Sequence, residues 1–303
     1  MAKKRGEKEN WLRKISLGRI VSIIFSLIII MILISFLGLM TAVFIGPIPQ
    51  GNVAVIHIEG MITSSGGFGG TTSAEKIIKF IHTAEEDKDI KAILLDINSG
   101  GGSAVGSDEI AQAVKSTEKP TVAVIREVGA SGAYWIASAS DKIYANRMSI
   151  TGSIGVLGSY LEFAKLLDDY NVTYRRVVAG KYKDMGSPMK EMTYDEELIF
   201  QQTVDKIHSY FIEAVAENRN MTVNEVGSMA TGRFVLGVEA KELGLIDELG
   251  SKQDAVVYIE EMMNITADLA DYRVKAGLID IFSSKASNSL TAIGEKETVS
   301  LQT

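Results

Sequence analysis

The 303-residue chain predicts an α/β protein set behind a hydrophobic N-terminal segment. Two features of the main body predict the class: short apolar runs alternate with longer amphipathic ones, and glycine-rich turns follow the apolar runs directly. A third feature stands apart from the body, a run of 26 uncharged residues from Ile20 to Ile45.

Composition narrows the class further. With 46% hydrophobic and 23% charged residues and only 4 Pro, the chain is globular in character rather than disordered or collagen-like. It has no Cys, which excludes disulfides, thiolate metal sites and a cysteine nucleophile. The three histidines, His57, His82 and His208, lack ligand-like spacing, so neither a metal nor a cofactor is expected. The net charge of −7 hides an asymmetry: residues 1–19 carry seven bases against two acids, leaving 24 bases and 36 acids for the rest. Such an acidic body argues against a nucleic-acid partner, because phosphate binding needs a basic face.

A helix over residues 20–45 reaches about 39 Å at 1.5 Å per residue, enough to span a bilayer. Its few polar positions, Ser22, Ser26, Ser35 and Thr41, are scattered rather than gathered on one face. A cleavable signal peptide has a shorter apolar core, about 7 to 15 residues, and Thr41–Pro47 contains no clear A-x-A site. The sequence therefore predicts an uncleaved single-pass anchor in the cytoplasmic membrane. The bases on its N-terminal side place residues 1–19 inside as a cytoplasmic tail and residues 46–303 outside. The expected divisions are 1–19, 20–45, a folded domain over 46–270, and a partly mobile tail over 271–303.

Within the folded part, strands are expected at Val53–Ile58, Lys91–Ile97, Thr121–Glu127 and Lys142–Ala145, with further short ones at Ile154–Leu157 and Val172–Val177. Helices are expected over Ser73–Glu86, Ala104–Lys115 and the small-residue stretch beginning at Ala130. Thr193 with Glu196, and Thr222 with Glu225, form capping-box patterns that predict two more helix starts. After the first of these, Phe200, Val204, Ile207, Phe211 and Val215 recur at helical spacing. A last helix is expected over about Ser251–Met263.

Without Cys or a well-placed His, a Ser-Lys pair is the remaining route to a nucleophilic hydrolase. Ser131 is the best nucleophile candidate: it follows a strand and opens a helix of small residues, where backbone N–H groups gather. The turn Asn98-Ser99-Gly100-Gly101-Gly102-Ser103 follows a buried strand and lets backbone amides approach a ligand, as an oxyanion hole requires. It is not a phosphate loop, since GxxxxGK[ST] is missing.

That turn, the step Gly129-Ala130-Ser131-Gly132-Ala133-Tyr134, the stretch Thr151–Val156 and the stretch Gly180–Pro188 together resemble serine peptidase family S49, in the short form of the signal peptide peptidase A group. The resemblance covers roughly residues 50–260. It implies a crotonase-like or Clp-protease-like fold of repeated ββα units in a superhelix. It also implies a Ser-Lys dyad of Ser131 and Lys183, with Ser153 orienting the lysine and Gly101 and Gly132 at the oxyanion hole. Further implications are peptide substrates such as signal-peptide remnants or unfolded chains, and a homo-oligomer. One departure concerns the turn: Gly100 stands where the family commonly has Pro, which loosens the backbone without removing a donor. A lysine accepts a proton at neutral pH only if burial disfavours its charged form, so Asp184 is expected to point away from Lys183.

Two other classes fit parts of the pattern. A crotonase-like acyl-CoA enzyme also uses a glycine turn for an oxyanion, but CoA is scarce outside the membrane. A third class is a membrane partner protein of the same fold, either a non-catalytic scaffold, which would leave Ser131 inert to active-site reagents, or a narrow-specificity regulatory protease, which would not.

Overall fold

The computed structural model describes residues 17–44, 49–65 and 70–273. It divides into two units, 1–49 and 50–303. In the first, α1 (Leu17–Phe44) is a 28-residue helix. Its described side chains, at 21–36, are all exposed. Among the described residues no helix is long and apolar enough to cross a membrane. Most of the expected basic tail lies outside the described residues, as does the C-terminal tail from 274.

The second unit opens with β1 (Val53–Glu59), β2 (Met61–Thr63), β3 (Thr71–Ser73), α2 (Ala74–Glu86), β4 (Ala92–Ser99), α3 (Ala104–Ser116), β5 (Thr121–Ala130), α4 (Gly132–Ser138), β6 (Lys142–Ala145) and β7 (Ile150–Gly152). It continues with α5 (Ala164–Asp169), α6 (Tyr194–Asn218), α7 (Val223–Met229), β8 (Phe234–Leu236), α8 (Gly237–Glu242), β9 (Glu248–Leu249), α9 (Lys252–Met263) and β10 (Leu269–Tyr272). The main sheet runs β10-β1-β4-β5-β6-β9, with β7 beside the end of β5 and β8 paired to β7. Every ladder in it is parallel except β7–β8.

Both faces of the central strands are covered, which is why β1, β4 and β5 read as near-continuous apolar runs. Ile56, Ile58, Leu95, Ile97 and Ile125 pack on one side with Ile77 and Ile81 of α2, Ile110 of α3 and the α4 residues Ala133–Ala137. Val53, Val55, Leu94, Val122 and Val124 pack on the other with Ala255, Val256 and Ile259 of α9. Full burial of such a side chain contributes about 1.5–3 kcal/mol. Trp135 of α4 stacks on Phe211 of α6 with centroids 4.6 Å apart, fastening the long helix to this core.

Both expected capping boxes are present, Thr193 with Glu196 at α6 and Thr222 with Glu225 at α7, and Ser251 with Asp254 forms a third at α9. The α6 stripe is buried at Phe211 and Val215 but only half-buried at Phe200, Val204 and Ile207, because the N-terminal half of the helix has less of the body against it. Two expected strands are corrected. Residues 154–157 and 172–177 lie outside the sheet: Ile154 is buried in the core, but Leu157 is 87% exposed and Val177 fully so. The short strand forms instead at Ile150–Gly152, between the end of β5 and β8. β10 was not among the expected strands either; it adds to the edge at β1.

Candidate active site

Strand β5 runs to Ala130 and stops against Gly152 of β7. The next residue, Ser131, turns sharply into α4 with φ 55 and ψ −127, a conformation that a side-chain-bearing residue adopts at a cost of about 1–3 kcal/mol. The surroundings hold it there: its N–H donates to Gly152 O (2.9 Å), and its carbonyl accepts from Trp135 N–H (3.0 Å). The whole of α4 is buried, while Ser131 itself is partly open to solvent.

Around Ser131 the glycine positions are set by close contact. A Cβ on Gly101 (φ 97) would sit 2.7 Å from Gly132 N and 2.9 Å from Ser131 Cβ, so only glycine lets the turn after β4 lie on the serine. A Cβ on Gly132 would come within 2.2 Å of the buried Ser107 Oγ and 3.4 Å of Gly102 N. The backbones of Gly102 and Gly132 therefore lie close together beside Ser131. The Gly101 amide is turned elsewhere: it donates to Ser99 Oγ (3.1 Å). Both expected oxyanion glycines, Gly101 and Gly132, thus lie against Ser131, with the Gly101 N–H donated inside the turn. Among the described residues the Gly102 N–H meets no acceptor, since β2 bonds to the turn through the Gly101 carbonyl and the Ser103 amide.

Ser153 stands next to Ser131 at the end of β7, with φ 51. Its N–H donates to Arg233 O (3.0 Å) and its hydroxyl to Gly232 O (3.1 Å). Within one chain it therefore orients no lysine. Lys183 is exposed on the turn that follows Gly180, and its ammonium makes no hydrogen bond or ion pair among the described residues. The structure thus brings together Ser131, Ser153, Gly101 and Gly132 but leaves Lys183 outside the cluster. As expected, Asp184 is turned away: its carboxylate pairs with Arg176 Nε at 2.8 Å.

The other two lysines of this segment are both engaged. Lys181 pairs with Asp195 (2.8 Å) and Lys190 with the buried Glu196 (2.6 Å). The Asp195 hydrogen bond, helped by Tyr182, holds the Lys181 ammonium above the ordinary lysine range. Of the three, Lys183 alone is unpaired.

A cavity of about 760 Å³ opens at a different place, against Glu59, Asp96, Asn98, Arg126 and Lys252, and none of the serines above lines it. Its charges compensate one another, Asp96 taking Lys252 (2.7 Å) and Arg126 (3.4 Å). Among the described residues no cluster of three or more His, Asp or Glu could hold a metal ion.

Comparison with known proteins bears directly on this serine-and-glycine arrangement. The family model described as peptidase family S49 matches residues 113–266, half of the chain and the segment holding Ser131, Ser153 and Lys183. The chain belongs to peptidase family S49. The Clp protease model matches residues 57–157, in keeping with the α/β fold of the S49 body. Relatives include a Methanocaldococcus jannaschii protein named as a candidate protease, 34% identical over 195 residues, 64% of this chain and 63% of that one. An Enterococcus faecium protein named as a candidate signal peptide peptidase SppA is 36% identical over 193 residues (62% and 56%). Protease 4 of Haemophilus influenzae is 30% identical over 223 residues (72% and 36%). The S49 chain described here spans less than two thirds of the length of each of these relatives.

Proposed function

We propose that the chain is a membrane-anchored serine endopeptidase that cleaves signal-peptide remnants or other unfolded apolar peptides outside the cytoplasmic membrane. The observation that carries the reading is the strained, rigidly held Ser131 packed against the glycine turn after β4 and Gly132. In this mechanism Ser131 Oγ attacks the scissile carbonyl, and the developing oxyanion accepts hydrogen bonds from the amides of Gly102 and Gly132. A neutral lysine takes the serine proton and returns it to the leaving amine, after which water repeats the sequence on the acyl-enzyme.

Lys183 is the lysine of this reading, because Lys181 and Lys190 are committed to carboxylates. It becomes the base when a second copy covers its segment. Leu157, Tyr170 and Val177 on the same stretch are exposed apolar side chains that ask for such cover. Burial is also what a lysine needs to give up its proton. The proposed assembly is therefore a homo-oligomer in which one copy's lysine segment completes another copy's serine site.

The test is labelling of the full chain with a fluorophosphonate. The reading requires modification at Ser131 and none in Ser131→Ala; a wild-type chain that is folded yet unlabelled removes it. The anchor is tested separately, by protease added to intact cells. Digestion of residues 46–303 is expected, and protection until lysis would remove that part of the proposal.

A further inference from the structure

The glycine turn after β4 has one side chain that decides which of its amides faces Ser131. Ser99 is 2% exposed, and its hydroxyl is used twice: it donates to Gly60 O (2.5 Å) and accepts from Gly101 N–H (3.1 Å). The first bond ties the turn to the end of β1, where Gly60 N–H in turn donates to Asn98 O (3.2 Å). The second removes the Gly101 amide from the space in front of the serine. With Gly101 held this way, its carbonyl accepts from Ile62 N–H and the Ser103 amide donates to Ile62 O, leaving the intervening Gly102 N–H directed away from β2.

Three consecutive glycines, Gly100 to Gly102, have little preference of their own for this path. No proline fixes a dihedral here, so the selection falls to the Ser99 hydroxyl. We infer that Ser99 is the positioning residue of the oxyanion hole: its hydroxyl sequesters the Gly101 amide so that Gly102, with Gly132, receives the substrate oxygen. This rests on the serine-peptidase reading of Ser131. Ser99 touches no reacting atom and acts only through the backbone. Removing the hydroxyl takes the donor from the Gly60 C=O and leaves the buried Gly101 N–H unpartnered, and the turn relaxes by letting the Gly101 amide seek another acceptor.

The experiment uses the full chain in detergent and compares wild type, Ser99→Ala, Ser99→Thr and Ser131→Ala. The readouts are the second-order rate of fluorophosphonate labelling, kcat and KM on a fluorogenic peptide, and the thermal midpoint. A phosphonylated serine places its P=O where the oxyanion would sit, so the labelling rate reports the amide geometry. Deleting one oxyanion donor outright lowers kcat about 10²–10³-fold, and a misaligned donor is expected to cost roughly ten- to a hundredfold. Ser99→Ala should therefore lose that factor in both labelling and kcat with KM little changed. Ser99→Thr, which keeps the hydroxyl, should recover most of it. Should Ser99→Ala not accumulate as folded protein, Ser99→Cys takes its place, since a thiol keeps the volume while weakening both bonds. Labelling and kcat within twofold of wild type in a folded Ala or Cys variant overturns the inference. So does a loss in KM alone, or a Thr variant as slow as Ala. Absence of labelling in wild type is a different result, which removes the peptidase reading itself.

Discussion

Ser131 and Ser153 stand side by side, each one residue beyond the last pair of the parallel β5–β7 ladder, and both have left-handed backbone angles, φ 55 and 51. The Ser131 amide donates to the carbonyl of Gly152, so the two turns are joined through a single backbone bond. Two adjacent strands thus deliver two hydroxyls to one end of the sheet, where the glycine turn after β4 also arrives.

Loss of either member of the proposed Ser131–Lys183 dyad should stop peptidase activity without unfolding the body. Ser131→Ala and Lys183→Ala are each expected to reduce kcat/KM to background, and the double variant should be no worse than either. Lys183→Arg should fail as well, since a guanidinium does not deprotonate in this range. Lys181→Ala should retain most activity. Ser153→Ala should give a partial loss, and replacing His57, His82 or His208 should leave turnover in place. Full activity in Lys183→Ala would overturn the assignment of the base.

The strain at Ser131 makes a separate prediction about stability. Glycine tolerates φ 55 and ψ −127, whereas alanine keeps the Cβ that makes the conformation costly. Both substitutions remove the hydroxyl, yet Ser131→Gly should be more stable than Ser131→Ala by about 1 kcal/mol in chemical denaturation. Equal midpoints would mean that the turn is not strained.

Acid should loosen the start of α6. The Lys190 hydrogen bond, followed by the Thr193 backbone amide, holds the Glu196 carboxyl at about 2, against an ordinary value of 4.5. A carboxyl lowered on folding contributes stability that is complete above about 4.5 and disappears as pH falls through 4.5 toward 2. Thermal midpoints measured across that window should fall less steeply in Glu196→Gln than in wild type. Parallel curves would show that the pair contributes nothing.

The exposed apolar residues offer a test of association. Leu157→Glu and Val177→Glu change side chains that meet little within one chain, so each should shift stability by no more than about 0.5 kcal/mol. If a second copy covers them, the same changes should lower the mass seen by light scattering and the peptidase rate together. A wild-type chain that is an active monomer would contradict the proposed assembly.

Much of the sheet was legible because β1, β4 and β5 are buried on both faces and carry that burial in their composition. The caps of α6 and α7 were legible for a local reason, since a Thr and a Glu three residues apart serve each other. What failed was non-local. Ile150–Gly152 is a strand only because β5 and β8 lie on either side of it, whereas Val172–Val177 has the apolar residues of a strand and no neighbour. At the site, Ser131 was readable from its place between strand and small-residue helix. The hydrogen bond from the Gly101 amide to Ser99 Oγ was not legible, because it depends on a hydroxyl whose position spacing cannot express. Lys183 came only from the family resemblance, and its exposed position in the single chain accounts for why its surroundings give no local sign of a base.

The exposure of Lys183 has a consequence for when such an enzyme can act. Under the proposed dyad, a chain whose Lys183 is still in water has no neutral base to take the serine proton. If pairing requires two copies, the cleavage rate at low abundance grows with the square of the concentration. Confinement to a surface, where molecules meet far more often than in a volume, then becomes the trigger. Under the proposed assembly, dilution alone would keep scattered copies silent.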